Sequence, residues 1–80
     1  MQIAAIKPLV DNYDVPTLKQ AEEALLSEAT LPMEVKGEDE GEQLTHILAA
    51  IWILEEMAEK EVDYKTALRA YTNKVRTSIS

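Results

Sequence analysis

The stretch GEDEGEQLTH, residues 37–46, gathers residue types that could do chemistry. It holds Glu38, Asp39, Glu40 and Glu42, two glycines, and His46, the one histidine in the sequence. Glu42 and His46 stand four residues apart, so on a helix their side chains can meet. Carboxylate and imidazole both bind zinc, iron or manganese, which makes Glu42 and His46 the candidate metal pair. Further support for a metal is missing from the pattern. There is no HExxH or ExxH motif, and a third ligand would have to come from a distant segment or a second chain. An EF-hand loop needs alternating acids, a central Gly and a terminal Glu, and this stretch does not fit it. Helix capping explains the same residues more simply. Asp39 can cap a helix, with Glu42 three residues later reaching back, and acids in a first turn suit the helix dipole. Gly37 and Gly41 let the backbone turn. A lone histidine on an apolar face is usually packed and hydrogen-bonded. The expectation is a helix start with no bound metal and no cofactor.

Other catalytic constellations are absent from the sequence. Ser27, Ser78 and Ser80 have no accompanying histidine motif, and no G-x-S-x-G is present. Two glycines do not make a phosphate-binding loop. Carboxylates are abundant, yet none is singled out by an apolar pocket. An enzyme this small would need an active site shared between subunits, so the sequence leans away from an enzyme and assigns no catalytic residue.

The elements that must position these residues follow from periodicity. The expected fold is all-α, a small helical bundle in a single domain over residues 1–80. Its three main helices are expected at about 17–29, 40–61 and 63–78. Residues 2–13 carry Ile3, Ile6, Leu9, Val10 and Tyr13 at loosely helical spacing, but Pro8 interrupts them. That segment reads either as a short helix beginning near Pro8 or as an extended run over 2–6. Thr17 and Gln20 suggest a capping box for the next helix, with Leu18, Ala21, Leu25 and in part Leu26 facing inward. Pro32 ends it, and a short strand is possible near 33–35. Asp63 can cap the last helix, where Tyr64, Leu68, Tyr71, Val75 and Ile79 form one inward stripe.

The helix over 40–61 is apolar around most of its circumference. Leu44, Ile47, Leu48, Ile51, Leu54 and Ala58 make one stripe, which suits the internal core. His46, Ala49, Ala50, Ile53 and Met57 make a second on another face. Such a helix is either central in its own bundle or shared with another chain. Only short helices are available to cover it, so the second stripe, at Ala49, Ala50, Ile53 and Met57, is the expected interface of a homodimer. Two-fold dimers are the commonest assembly.

Charge bears on the partners. Residues 1–63 carry fifteen acids and four bases, a formal −11, and residues 64–80 carry four bases and no acid, giving −7 in all. An acidic surface repels phosphate backbones, so nucleic acid is not expected. Lys65, Arg69, Thr72 and Arg76 share a face about 60° wide on a regular helix. Lys65, Arg69 and Arg76 are therefore candidates for binding an anion, although bases near a helix C-terminus also suit its dipole. The longest apolar run, 47–54, is far short of the ~20 residues of a membrane span. With no cysteine and no leader pattern at the N-terminus, a cytoplasmic protein is expected.

The segments LPMEVKGEDEGEQLTHILAAIWILE, YKTALRAYTNKVRTSI and AEEALL resemble a family of short, acidic, uncharacterised bacterial proteins. The resemblance runs over nearly the whole chain. It implies an intracellular single-domain protein of unknown activity and supplies no site residues. The expectation is thus an interaction module that self-associates through its third helix, with an unidentified protein partner. The competing classes are a small metal-binding or catalytic protein using Glu42 and His46, and an anion-binding protein.

Overall fold

The computed structural model describes residues 2–79 as four helices: α1 (Ile3–Asn12), α2 (Val15–Leu26), α3 (Glu40–Lys60) and α4 (Tyr64–Ile79). No strand occurs among the described residues. No helix among them is long and apolar enough to cross a membrane. Helix α3 is the hub. Helices α1, α2 and α4 each pack on it and meet one another only marginally.

α1 begins at Ile3, earlier than expected, and runs straight through Pro8. Both alternatives read from the sequence, a start near Pro8 and an extended 2–6, are therefore corrected. The cause is packing. Ala5, Ile6, Leu9 and Val10 are buried in the common core, while Pro8 lies on the exposed face. An interior proline costs a helix ~3 kcal/mol, and buried aliphatic side chains return ~1.5–3 kcal/mol each. Pro8→Ala should raise stability by about 1–2 kcal/mol, the looser unfolded chain offsetting part of the gain. A denaturation midpoint that stays the same or falls would count against this account.

α2 starts two residues before Thr17, because Asp14 rather than Thr17 is the cap. Its carboxylate accepts the Thr17 N–H at 3.0 Å, and Pro16 sits in the first turn, where no N–H is needed. The helix stops at Leu26, short of 29, in a Schellman turn. The Ala29 N–H reaches Ala24 C=O at 2.7 Å, and the Glu28 N–H reaches Leu25 C=O at 3.3 Å. Glu28 takes the left-handed position, φ 58°, where glycine is usual. The short strand considered near 33–35 does not form, and no strand to pair with it occurs among the described residues. Side chains of α3 bond the carbonyls of Val35 and the following Lys36 instead, and Val35 is buried as a plug.

α3 has the expected Asp39 cap, its carboxylate accepting the Glu42 N–H at 2.7 Å. Asp63 caps α4 through the Thr66 N–H at 2.8 Å. The inward stripe of α4 centres on the buried Ala67, with Tyr64, Leu68, Tyr71 and Val75 half-buried around it. The side chain of Ile79 falls outside what the structure describes. The Trp52 and Tyr71 rings tie α4 to α3, their centroids 5.6 Å apart.

Two caps should contribute stability that acid removes. Hydrogen bonding from the Thr17 side chain, then from its backbone, lowers the pKa of Asp14; Thr66 does the same for Asp63. A lowered folded-state pKa means the contribution is complete above the ordinary 3.8 and is lost as pH falls through the lowered value. Asp14→Asn with Asp63→Asn should flatten the fall in melting temperature between about pH 5 and pH 2. A fall as steep as that of the unsubstituted protein would place the acid sensitivity elsewhere.

The two stripes of α3 do not divide the roles as expected. Ala49, Ala50 and Ile53 are buried in the chain's own core and Met57 packs against it, so the residues assigned to a dimer interface are internal. The other stripe is divided. Ile47 and Ile51 are buried, Leu44 and Leu54 are half-buried, and Leu48 and Ala58 are exposed. The reason is α1, a full helix that adds a third packing partner to α3.

Candidate functional site

The acidic stretch serves as a docking joint. Glu42 Oε1 accepts the Glu38 N–H at 3.1 Å, closing a capping arrangement with Asp39. Gly37 lets the incoming chain press against α3, where an added Cβ would sit 2.8 Å from the Gln43 backbone nitrogen. The Gln43 amide donates to Val35 C=O at 2.9 Å. His46 is the one polar side chain fully buried among the described residues, 0% exposed. Its Nδ1 lies 2.7 Å from Lys36 C=O, and its Nε2 accepts the Gln2 N–H at 2.9 Å. The carbonyl can only accept and the amide can only donate, so the imidazole is neutral with its proton on Nδ1. One side chain thus fastens the start of α1 and the 27–39 connection to α3.

That geometry bears on the candidate metal pair. Both His46 nitrogens are occupied by backbone groups, and the Glu42 carboxylate is turned to the Glu38 N–H. Among the described residues no group of three or more histidine, cysteine or acidic side chains is placed to hold a metal ion. The arrangement performs docking and capping.

The surface feature of most consequence was not read from the sequence. An open groove of about 420 Å³ lies between the last turn of α2 and the first turns of α3. Leu25, Leu26 and Leu44 supply its apolar walls, and Glu28 and Glu40 stand at it with Ser27 and Gly41. Leu26 is 67% exposed, and Leu48, one helical turn beyond Leu44, is 42% exposed. The signal available in the sequence was the adjacent pair Leu25 and Leu26, whose side chains leave a regular helix about 100° apart, so that a narrow buried stripe takes one more fully than the other.

The basic candidates lie together on α4, as the spacing predicts. Lys65, Arg69 and Arg76 are exposed and form no ion pair with a described residue. From Lys65 to Arg76, eleven helical steps, the stripe is about 16 Å long.

Three helices packed on a central fourth, with an open leucine groove at one end, define a small all-α protein. The chain belongs to the Family of unknown function (DUF6952), whose model matches residues 1–80. The comparison with curated proteins gave no match. The comparison with solved structures gave none either.

Proposed function

We propose that this protein is a small interaction module that self-associates through the outer face of α3 and the adjoining end of α2. The carrying observation is the exposure of Leu26 in the groove, at 67%, together with Leu48, 42% exposed and one helical turn from the groove's Leu44. Exposed leucines gathered at an open groove are the kind of surface that a partner covers. The interface expected at Ala49, Ala50, Ile53 and Met57 is unavailable because those residues serve the internal core. A partner would meet Leu25, Leu26, Leu44 and Leu48 instead. Sedimentation velocity over a concentration series tests this. The expected result is a mass rising toward the dimer, and a folded monomer for Leu26→Ser with Leu48→Ser. A protein that stays monomeric up to millimolar concentration ends the proposal.

Anion binding at Lys65, Arg69 and Arg76 is a second reading, favoured by the absence of ion pairs between these bases and the described residues. It requires salt-sensitive binding of phosphate-bearing ligands that Arg69→Glu with Arg76→Glu abolishes.

A further inference from the structure

The groove and the basic stripe complement each other, and neither finds an ion-pair partner within the described chain, although Lys65 lies in the field of Asp63. Glu28 and Glu40 make no ion pair with a described residue, and the same holds for Lys65, Arg69 and Arg76. The chain divides its charge accordingly, −11 over residues 1–63 and +4 over residues 64–80. We infer that the partner in the groove is a second copy of this chain, which lays the Lys65–Arg69–Arg76 face of its α4 over Leu25, Leu26 and Leu44. This rests on the self-association just proposed and specifies how it occurs.

Side-chain chemistry fits the two surfaces to each other. Lysine and arginine lay their methylene stems on apolar surface and keep their charged ends outward. On this groove the stems cover the leucines while the charged ends reach Glu28 and Glu40. Guanidinium with carboxylate is the pairing that makes two parallel hydrogen bonds. An apolar groove bordered by acids suits such stems better than it suits a purely aliphatic ridge.

Charge also argues against a leucine-on-leucine dimer. Packing two grooves face to face would bring Glu28 and Glu40 of one copy against the same acids of the other, in a chain already at −7. The α4-to-groove contact places opposite charges there. Repulsion between the two net charges is screened beyond ~8 Å at physiological salt, so the local pairing governs contact. About a two-fold axis the contact forms twice, each copy contributing one stripe and one groove.

This predicts a charge-swap result. The stripe-reversed protein, Arg69→Glu with Arg76→Glu, sets acid against acid and should be monomeric. The groove-reversed protein, Glu28→Lys with Glu40→Lys, sets base against base and should also be monomeric. Mixed in equal amounts, the two should form a dimer of one copy each, because each reversed surface then meets its complement. All four positions are exposed, and circular dichroism verifies that each variant is folded. Should a reversal unfold the chain, Arg69→Gln with Arg76→Gln is the milder variant, expected to raise the dissociation constant roughly tenfold or more. Either reversed protein dimerising as the unsubstituted chain does, or folded reversals that stay monomeric when mixed, overturns the inference and leaves self-association standing. Saturating the stripe with inorganic phosphate while the dimer mass is unchanged assigns those bases to an anion and overturns it too. An unsubstituted chain that never dimerises removes both the inference and the reading beneath it.

Discussion

Ile53→Glu should leave no folded protein at neutral pH. Ile53 is 0% exposed and sits in the core cluster with Ile47, Ala49 and Ala50. An unpaired carboxylate there loses several kcal/mol of hydration with nothing to replace it. An 80-residue chain has only about 4–12 kcal/mol of stability in total. Removing a packed isoleucine adds ~2–5 kcal/mol more. From the sequence, with Ile53 on a partner-facing stripe, the same substitution would give a folded, weaker monomer. The structure reverses that outcome. Leu48→Glu, on the exposed side of the same helix, is the control and should keep its helical circular dichroism. Cooperative melting by Ile53→Glu at neutral pH would mean that α3 is turned differently about its axis.

His46→Leu should cost about 2–4 kcal/mol, from two lost hydrogen bonds and the two backbone groups left behind. Lys36 C=O and the Gln2 N–H lie in part-buried surroundings, so water reaches them poorly. The denaturant midpoint should fall, and the Gln2 amide should exchange faster with solvent. An unchanged midpoint with unchanged exchange would mean that the imidazole fastens neither segment. Stoichiometric zinc, iron or manganese lost on this substitution would restore the ligand role considered for Glu42 and His46.

Local signals along the sequence were the most legible. Asp39 and Asp63 were readable as caps because an N-cap is a matter of three or four consecutive residues. The length of α3 was readable because its apolar spacing is sustained. Which of its stripes faces inward was not. A helix apolar on most sides gives no direction, and the answer lay in whether residues 3–12 form a helix. Pro8 concealed that, since a proline stops helices in general and is outweighed here by tertiary burial of Ile6, Leu9 and Val10. The segment 33–35 read as an extended connection with a possible short strand. The carbonyls of Val35 and Lys36 are met instead by side chains eight and ten residues further on, Gln43 and His46. The groove stayed hidden for a related reason, being assembled from residues 25–28 and 40–44 across the connection. The basic face of α4 was legible because one regular helix carries all of it.

The hub arrangement shapes how the native state opens. Because α1, α2 and α4 lean on α3 and hardly on each other, any one of them can detach while the other two keep their seats. Partly open forms, each lacking one outer helix, then lie below global unfolding in free energy. Amide exchange in α1, α2 and α4 should sort into separate groups with different responses to denaturant. The amides around Ile47 to Ile53 should exchange last, through complete unfolding alone. α1, short and lacking one backbone hydrogen bond at Pro8, should form the fastest group. A protein of this size would then behave as three two-helix contacts sharing one member, rather than as a single all-or-none block.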